Sequence, residues 1–384
     1  MSTTYDVAVI GLGGMGSAAA WHLARRGQRV VGFEQFDPVH DRGSSHGSTR
    51  LVRQAYYEDP RYVPLLVRAY ELWDELGSLT GSPALQRTGG LMLGPRDGAV
   101  VTGTLASAEQ WGLPHRLLDA DEVMRRHPAF RLRPDEVAVH EPAAGFVVPE
   151  RTIAEHLDLA AAAGAAFHFR TDVQGWELTA TGVRVHTGTA GFDAGRLVVC
   201  AGPWSTRVLA DHGLPLVVER HLVHWFAPGG DPARFAADRL PVYLWELEAG
   251  SELYGFPVFA GDPRAKVAFF HDGRGADPDH LDRQVAPEEA ASLHRALSDR
   301  LPGLADHWLS GTACMYTVTP DRNFVVGSIA GTDGRVTVAA GFSGHGFKFV
   351  PVIGEIVADL ATQGSTALDI SLFDPRRFDP SPVA

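Results

Sequence analysis

The 384-residue chain contains only two cysteines, Cys200 and Cys314. Two isolated cysteines are too few for a disulfide framework, and they show no paired metal-binding spacing. Basic residues are also in the minority, because 34 lysines and arginines stand against 46 acidic residues and leave a net charge of −12. This balance gives no support to binding of nucleic acid or of an anionic membrane surface. We therefore expect neither a metal site nor a nucleic-acid partner.

Long apolar runs are lacking as well. No stretch has the length of a membrane span, and the N-terminus has no basic segment followed by a long apolar stretch. The sequence thus signals neither membrane insertion nor secretion, and we expect a cytoplasmic location. The hydrophobic fraction of 45% and the charged fraction of 21% are typical of a soluble globular protein. A chain of this length suggests two domains, which could be interleaved.

The strongest pattern that is present lies in residues 5–34. An apolar run leads into Gly11, Gly13 and Gly16 with the spacing G-x-G-x-x-G, and a helical segment, a second apolar run and Glu34 follow in that order. In a dinucleotide site the three glycines allow a tight turn, close approach of a pyrophosphate, and close packing of helix on sheet. The pyrophosphate would lie at the free N–H groups of the helix start. Glu34 is placed to accept hydrogen bonds from a ribose diol, which argues against NADP.

The motif leaves alternatives open. Glycines also accumulate in ordinary turns without a ligand, but the ordered series of strand, glycines, helix, strand and acid favours a dinucleotide. The motif cannot distinguish FAD from NAD.

A long irregular loop follows the second apolar run. Residues 36–48 are rich in Gly, Pro, Ser and Asp, and the charged side chains of His46, Arg50 and Arg53 lie in or just beyond them. Such charges are usually solvated. Two arginines three residues apart beside a cofactor crevice can instead contact a flavin or another anion. The residues alone leave both interpretations open.

The rest of the chain indicates a second kind of sheet. Residues 215–271 alternate β-rich runs with turns, as in an antiparallel sheet, which contrasts with the βαβ opening and argues for a second domain. Near the C-terminus a strand at 335–340 enters GFSGHGFK and then a helix at 349–362. The start of this helix could stabilise an anion beside the cofactor.

These segments together resemble the monomeric sarcosine oxidase family, which includes N-methyltryptophan oxidase and pipecolate oxidase and has the D-amino-acid oxidase fold. The similarity covers nearly the whole chain. It depends on GLGGMG, FDPVHDRGSSHGSTRLVRQAY, LYGFPVFAG followed by Lys266, ACMYTVTPDRNFVVG and AAGFSGHGFKF. The last two segments are the more specific, because many flavoproteins share the glycine motif.

The resemblance implies an α/β fold in which a Rossmann-like FAD-binding domain is interleaved with an α+β substrate domain built on an antiparallel sheet. We expect the FAD-binding domain at residues 1–80, 144–214 and 317–384, and the substrate domain at residues 81–143 and 215–316.

The resemblance also implies a covalent cofactor. The family attaches FAD through a cysteine thioether to the flavin 8α position, and that cysteine matches Cys314, although a lone cysteine is more often a small buried hydrophobe. Attachment needs a thiolate, so Cys314 should lie in an electropositive setting, to which Arg50 and His46 could contribute. Cys200 is expected to be structural. The residues expected to contact FAD are Gly11, Gly13, Gly14, Met15, Gly16, Glu34, Ser44, His46, Arg50, Val173, Gly202, Trp204, Cys314, Gly344, Gly346, Phe347 and Lys348.

By the same resemblance, an arginine and a lysine hold the substrate carboxylate, and they map onto Arg53 and Lys348. A guanidinium can grip a carboxylate with two parallel hydrogen bonds, and a lysine adds a point charge. Lys266 matches a lysine held beside the flavin through a water, where a cation promotes reaction with oxygen. Tyr254 and Tyr316 match aromatic residues of the substrate pocket, although from pattern alone either could be a packed strand residue.

Two positions depart from the sarcosine-specific members of the family. Their histidine four positions after the active-site lysine is replaced by Phe270, with His271 one residue further on, and Leu244 is the expected counterpart of their pocket methionine. Either the strand is shifted by one residue or the pocket is more apolar. These departures make a secondary amino acid bulkier than sarcosine more plausible.

The sequence therefore predicts an FAD-dependent oxidase that acts on the CH–NH bond of a secondary amino acid, N-methylated or cyclic, with oxygen as acceptor. The imine product would hydrolyse to aldehyde and amine, with release of hydrogen peroxide. The expected partners are this small amino acid and oxygen, and the chain is expected to be a monomer. One alternative is an NAD-dependent dehydrogenase, which would leave Cys314 and Lys266 without roles. The other is a flavin-binding protein without oxidase activity, against which Lys266 argues.

Overall fold

Two large sheets and one small sheet organise the chain in a computed structural model, which describes residues 5–248, 251–259, 261–271 and 273–379. The strands, in chain order, are β1 (Tyr5–Ile10), β2 (Val30–Phe33), β3 (Arg50–Val52), β4 (Leu85–Arg87), β5 (Gly90–Pro95), β6 (Arg116–Asp119), β7 (Glu136–Glu141), β8 (Gly145–Val147), β9 (Ala166–His168), β10 (Val173–Leu178), β11 (Val183–Thr187), β12 (Gly191–Val199), β13 (Val217–Phe226), β14 (Val242–Glu248), β15 (Ser251–Phe256), β16 (Ala265–Phe270), β17 (Arg274–Gly275), β18 (Trp308–Val318), β19 (Val325–Ser328) and β20 (Val336–Ala340). The α-helices are α1 (Gly14–Ala24), α2 (Val63–Thr80), α3 (Ala99–Trp111), α4 (Ala120–Arg126), α5 (Pro149–Ala162), α6 (Ser205–Val208), α7 (Ala291–Arg300), α8 (Pro302–Ala305) and α9 (Val350–Gln363).

The first large sheet has a parallel centre. Its strand order is β10-β11-β12-β1-β2-β9, with β20 paired to β12 and β19 paired to β20. The pairs β12–β1, β1–β2, β2–β9 and β12–β20 are parallel. Consecutive residues of β1, Val7 to Ile10, are all buried, as expected for a strand covered on both faces. The carboxyl ends of β1 and β2 meet at one edge of this sheet, which is where ligands bind in such folds.

Helices α1 and α9 pack together against the first sheet. Their contact is close because Gly354 of α9 faces Ala18 of α1, and a Cβ on Gly354 would lie only 2.6 Å from the Cβ of Ala18. The apolar faces of both helices join one buried cluster with α2 and α5. This packing holds the start of α1 at the carboxyl edge of the sheet.

The second large sheet is mainly antiparallel. Its order is β17-β13-β16-β15-β14-β5-β7-β6, with β18 on β13, and only the pair β14–β5 is parallel among the described strands. One face packs Tyr243 and Trp245 with Leu293 and Leu297 of α7. Because side chains alternate along a strand, the neighbouring residue Leu244 points to the opposite face. That opposite face borders the cavity described below.

These sheets confirm the predicted α/β fold, with a Rossmann-like unit and a second unit built on a mainly antiparallel sheet. Strands β3, β8 and β4 form a third sheet. The domain boundaries stay a prediction, and their limits at residues 1 and 384 lie outside the described residues. Across the described parts of the chain, no helix combines the length and the apolar character that crossing a bilayer requires.

Candidate cofactor and active site

A cavity of about 970 Å³ takes its lining from both large sheets. The first sheet contributes residues at the ends of β1, β2 and β20, and the second contributes residues of β14, β15, β16 and β18. The predicted site residues that line it are Gly11, Gly13, Gly14, Met15, Glu34, Ser44, Arg50, Arg53, Val173, Gly202, Trp204, Tyr254, Tyr316, Gly344, Gly346, Phe347 and Lys348. The predicted residues Gly16, His46, Lys266 and Cys314 are absent from the lining.

The glycine turn borders the cavity, and Gly11 and Gly16 each have a distinct steric reason. Gly11 has a φ of 84°, and a Cβ there would lie 2.5 Å from the carbonyl oxygen of Cys200. A Cβ on Gly16 would lie 1.8 Å from the carbonyl oxygen of Gly11, so any side chain would push the helix off the turn. Gly13, in contrast, has nothing within 4 Å of its Cβ position and borders the cavity. The turn is therefore closed towards the protein and open towards a ligand at the start of α1.

Glu34 is fixed at the end of β2. One carboxylate oxygen accepts a hydrogen bond from the backbone N–H of Leu12 at 3.0 Å, and the other accepts one from Phe36 at 3.2 Å. The His40 ring nitrogen Nε2 lies 3.3 Å from the second oxygen. Each carboxylate oxygen can accept more than one hydrogen bond, so a ribose hydroxyl can still bind. The expected place of Glu34 beside the glycine turn is thus compatible with its predicted role.

Two aromatic rings that the sequence did not single out also line the cavity. Trp176 and His212 stack with ring centroids 5.2 Å apart and planes inclined by 8°. The predicted contact Trp204 lies in the same lining, and its indole N–H donates to Asp279 at 2.6 Å. Trp176 follows Val173 on β10, but an isolated tryptophan and a distant histidine carry no sequence pattern that would have paired them.

Arg50 and Lys266 organise the loop between β2 and β3. The Arg50 guanidinium donates to the carbonyl oxygens of Ser44 and Thr49, both at 2.8 Å. The Lys266 ammonium nitrogen Nζ donates to the carbonyl oxygens of Gly47 and Thr49, both at 2.7 Å, and lies 4.7 Å from the centre of the Phe256 ring. Lys266 is thus buried behind the cavity wall and tied to the loop that carries Arg50.

Cys314 is buried, and the charges of Arg50 and Lys266 act on its thiol. Burial raises the pKa of its thiol, while the positive charges of Arg50 and Lys266 oppose that rise. His46 contributes no charge near neutral pH, because burial and the neighbouring Arg50 lower its pKa to about 4, and its Nε2 has no hydrogen-bond partner. Of the two residues expected to act on Cys314, Arg50 contributes a positive charge and His46 does not, and Lys266 contributes to the same effect on the pKa of the thiol.

Arg53 and Lys348 are two cations in the lining of the cavity. The Arg53 nitrogen Nη2 bonds both carboxylate oxygens of Glu58 at 2.7 and 2.6 Å, and Nη1 donates to the carbonyl oxygen of Ala55 at 2.8 Å. Lys348 donates to the carbonyl oxygen of His345 at 2.9 Å. Burial, together with the charge of Arg53, lowers the pKa of Lys348 to about 7. Glu58 also lines the cavity, and sequence reasoning missed it because a single acid in a loop carries no motif.

The second sheet supplies an apolar and aromatic wall. Leu244 pairs with Tyr254, and Tyr254 pairs with Ala268, so Phe270 two residues further along lies on the same face. Leu244, Tyr254 and Phe270 all line the cavity, and so does Tyr316. His271 is not in the lining and has a φ of 58°, beyond the end of β16. Of the two explanations for the departure at this position, the structure therefore supports a more apolar pocket without a shift of the strand.

The residues present fit a flavin dinucleotide. The lining of the cavity combines a glycine cradle and a fixed acid, the backbone turns of Gly344 and Gly346, two cations and an aromatic wall. This combination of fold and site defines a dinucleotide-dependent oxidoreductase. No cluster of three or more potential metal ligands occurs within the described residues.

The profile of the family described as FAD dependent oxidoreductase matches residues 6–360, and the chain belongs to this family. A monomeric sarcosine oxidase of Streptomyces avermitilis is 50% identical over 384 residues, with all of both chains covered. The N-methyl-L-tryptophan oxidase of Salmonella enteritidis is 34% identical, with 97% of this chain and 99% of that one covered. The predicted resemblance is confirmed, and FAD is the cofactor of the family, which argues against the NAD alternative.

Solved structures agree with the fold. NikD, described as an unusual amino acid oxidase essential for nikkomycin biosynthesis, matches with a TM-score of 0.85 at 26% identity, over 97% of this chain and 98% of that one. Glycine oxidase from Geobacillus kaustophilus matches with a TM-score of 0.83 at 22% identity, over 98% of this chain and 99% of that one. The chain is therefore an FAD-dependent oxidoreductase with the fold of the amino acid oxidases.

Proposed function

We propose that the protein oxidises the CH–NH bond of a secondary amino acid, either N-methylated or cyclic, and passes the electrons to oxygen. The observation that carries this proposal is the pair Arg53 and Lys348, two cations in the lining of the cavity that the glycine turn also borders. Two cations beside an aromatic wall suit a small molecule with one carboxylate and an apolar body. The relatives at 34% to 50% identity are oxidases of N-methyl amino acids by name.

The cofactor would be held along the cavity. The diphosphate would lie at the start of α1, Glu34 would bind a ribose, and the turn at Gly344 and Gly346 would present backbone N–H groups to the flavin ring. When bound, FAD supplies the chemistry of accepting a hydride equivalent from the carbon beside the amine and returning two electrons to oxygen. In this arrangement the cofactor and the substrate would share one cavity.

We further propose that FAD is attached through Cys314. The support is the position of Cys314 beside Arg50 and Lys266, whose charges favour the thiolate against the cost of burial. Both side chains donate to carbonyl oxygens of the same loop, and Thr49 accepts from both of them. Loss of the attachment after replacement of Cys314 is the direct test.

The substrate carboxylate would compete with Glu58. Arg53 uses Nη2 for Glu58, so an incoming carboxylate can form its paired bonds only by sharing or displacing that acid. Lys348 lies beside it as a second cation. This arrangement keeps Arg53 charged and oriented before substrate arrives, which lowers the cost of organising the site.

The amine would lose its proton to water. Burial raises the pKa of Tyr254 to about 12 and raises that of Tyr316 well above its usual value. Both hydroxyls therefore stay protonated near neutral pH and can donate hydrogen bonds, but they cannot act as bases. Their role is to orient the amine between Phe270 and Leu244.

Lys266 would serve the reaction with oxygen. Two carbonyl acceptors favour its charged form, while burial and Arg50 lower its pKa well below the ordinary value. A cation at this place would stabilise the negative charge that develops on oxygen. The second alternative from the sequence, a flavin protein without oxidase activity, gives Lys266 no such role.

The remaining sequence predictions are kept as proposals. A cytoplasmic location and a monomeric state also stay proposals, and the name of the Streptomyces avermitilis relative, monomeric sarcosine oxidase, supports the monomer. The two domains are proposed to comprise residues 1–80, 144–214 and 317–384, and residues 81–143 and 215–316.

The proposed function is tested by hydrogen peroxide release from the flavin-loaded protein. The substrates are sarcosine, N-methyltryptophan, pipecolate and the corresponding primary amino acids. Release with secondary amino acids and at least ten times less with primary ones is expected. Peroxide from none of them, with flavin bound, would contradict the proposal.

A further inference from the structure

Tyr56 lies beside the two cations that are proposed to bind the substrate carboxylate, yet it does not line the cavity. Its side chain is fully buried. The guanidinium carbon of Arg53 lies 4.4 Å from the centre of the Tyr56 ring, and Nζ of Lys348 lies 5.3 Å from it. An aromatic ring face carries negative charge and attracts cations within about 6 Å. One ring therefore contacts both cations, which repel each other.

The Tyr56 hydroxyl is held by His345. The hydroxyl oxygen lies 2.5 Å from Nδ1 of His345, and Nε2 of the same ring lies 3.0 Å from the carbonyl oxygen of Arg322. A carbonyl oxygen only accepts, so Nε2 must carry the proton and Nδ1 must accept from Tyr56. Burial, with the charge of Lys348 adding to it, lowers the pKa of His345 to about 3, which keeps this ring neutral. Tyr56 therefore donates to His345, and His345 donates to the carbonyl oxygen of Arg322.

We propose that Tyr56 is a positioning residue for Arg53 and Lys348, and that His345 fixes the ring in the orientation that does this. The inference rests on the proposed function, because it concerns the same carboxylate site. The ring offsets part of the cost of burying two cations together, and the hydrogen bond to His345 prevents the ring from turning away. A neutral His345 also avoids a third positive charge in the group.

If Tyr56 only stabilised the fold, its replacement would lower stability and leave the titration of Lys348 unchanged. Tyr56 packs against Tyr62 and Phe349, with ring centroids 4.7 and 5.5 Å away, so its removal must cost stability in any case. Only a role towards the cations would also change the pH at which Lys348 loses its proton. The charged and titratable groups that face Lys348 are Arg53, Glu58, His345 and Tyr56.

The test measures the affinity of the flavin-loaded protein for (methylthio)acetate between pH 6 and 9. Binding is monitored through the change in the flavin spectrum. This carboxylate has sulfur in place of the oxidisable amine. In Tyr56→Leu we expect the affinity at pH 7 to fall roughly ten-fold and the midpoint of the pH dependence to move down by about half to one unit, since buried cation–π contacts have this strength. In Tyr56→Phe, which keeps the ring but loses the hydrogen bond to His345, the midpoint should move down by less than in Tyr56→Leu.

Tyr62→Leu is the matched control. Tyr62 is equally buried, and its ring packs on Tyr56 and Phe324. It should lower the melting temperature as Tyr56→Leu does and leave the midpoint unchanged. A second variant carries 3,4,5-trifluorophenylalanine at position 56. It should disturb packing less than Tyr56→Leu because it keeps the ring, while its fluorines withdraw negative charge from the ring face. Relative to Tyr56→Phe, this variant should also move the midpoint down.

Three outcomes are distinct. A lowered midpoint in Tyr56→Leu or in the trifluorinated variant, without one in Tyr62→Leu, supports the inference. The inference is overturned, while the carboxylate site stands, if the midpoint of Tyr56→Leu equals that of the wild type and the midpoint of the trifluorinated variant equals that of Tyr56→Phe. An equal shift in Tyr62→Leu overturns it as well. If the wild-type protein does not bind (methylthio)acetate, the carboxylate site and the inference fall together.

Discussion

The lowered pKa of Lys348 makes binding of a carboxylate depend on pH. Burial, with Arg53 adding to it and Glu58 opposing it, lowers this pKa from 10.5 to about 7. The charged amine attracts a carboxylate and the neutral amine does not, so affinity is full below this pH and is lost as the pH rises through it. About nine tenths of the amine is charged at pH 6 and about one tenth at pH 8, so the dissociation constant should rise about ten-fold between them.

The assay is the titration of flavin-loaded protein with (methylthio)acetate, whose own carboxylate stays ionised throughout this range. Arg53 stays charged, and His345 titrates near pH 3, so neither changes between pH 6 and 9. Lys348→Met keeps the length of the side chain and removes the charge. Its affinity should be constant with pH and equal to the weakest affinity of the wild type. A wild-type affinity that does not change from pH 6 to 9, or an equal slope in Lys348→Met, would refute the reasoning.

Three further changes test other parts of the site. Cys314→Ala should release its flavin into the supernatant on acid precipitation, whereas the wild type should keep it in the pellet; release from both would remove the covalent assignment. Lys266→Met should slow reoxidation of the reduced flavin by air on the order of 10²–10³-fold, as for loss of one charge-stabilising donor, with anaerobic reduction by substrate changed little. An unchanged reoxidation rate measured by stopped flow would exclude the oxygen role. Phe270→Ala should reduce kcat/KM for a bulky secondary amino acid relative to sarcosine by about ten-fold, because it removes an apolar contact. Equal losses for both substrates would show that Phe270 does not determine specificity.

The nucleotide end could be predicted because its geometry is local. Gly11, Gly13, Gly16 and Glu34 lie within one βαβ unit, where spacing alone fixes turn, helix start and acid. The structure gives Gly11 and Gly16 separate steric reasons and leaves Gly13 open to the cavity, and the family match confirms FAD. A motif of this kind carries its own structural context in the chain.

The substrate end depends on register and long-range packing. Spacing could not decide whether Phe270 or His271 faces the pocket, because a shift of one residue exchanges the two faces of a strand. Nor could it pair Glu58 with Arg53, since nothing in the loop marks that acid. The contact of Tyr56 with His345 joins residues 289 positions apart. Desolvation, which leaves His46 neutral, likewise depends on packing from several segments.

The central claim is that this cavity lets a secondary amino acid reduce FAD and lets oxygen take the electrons back. The most direct measurement is the visible spectrum of the flavin-loaded protein, mixed without oxygen with N-methyl and cyclic amino acids and then exposed to air. We predict bleaching by at least one secondary amino acid, followed by rapid return of the yellow colour with one equivalent of hydrogen peroxide. A flavin spectrum that stays oxidised with every such amino acid, or a reduced flavin that persists in air, would contradict the account.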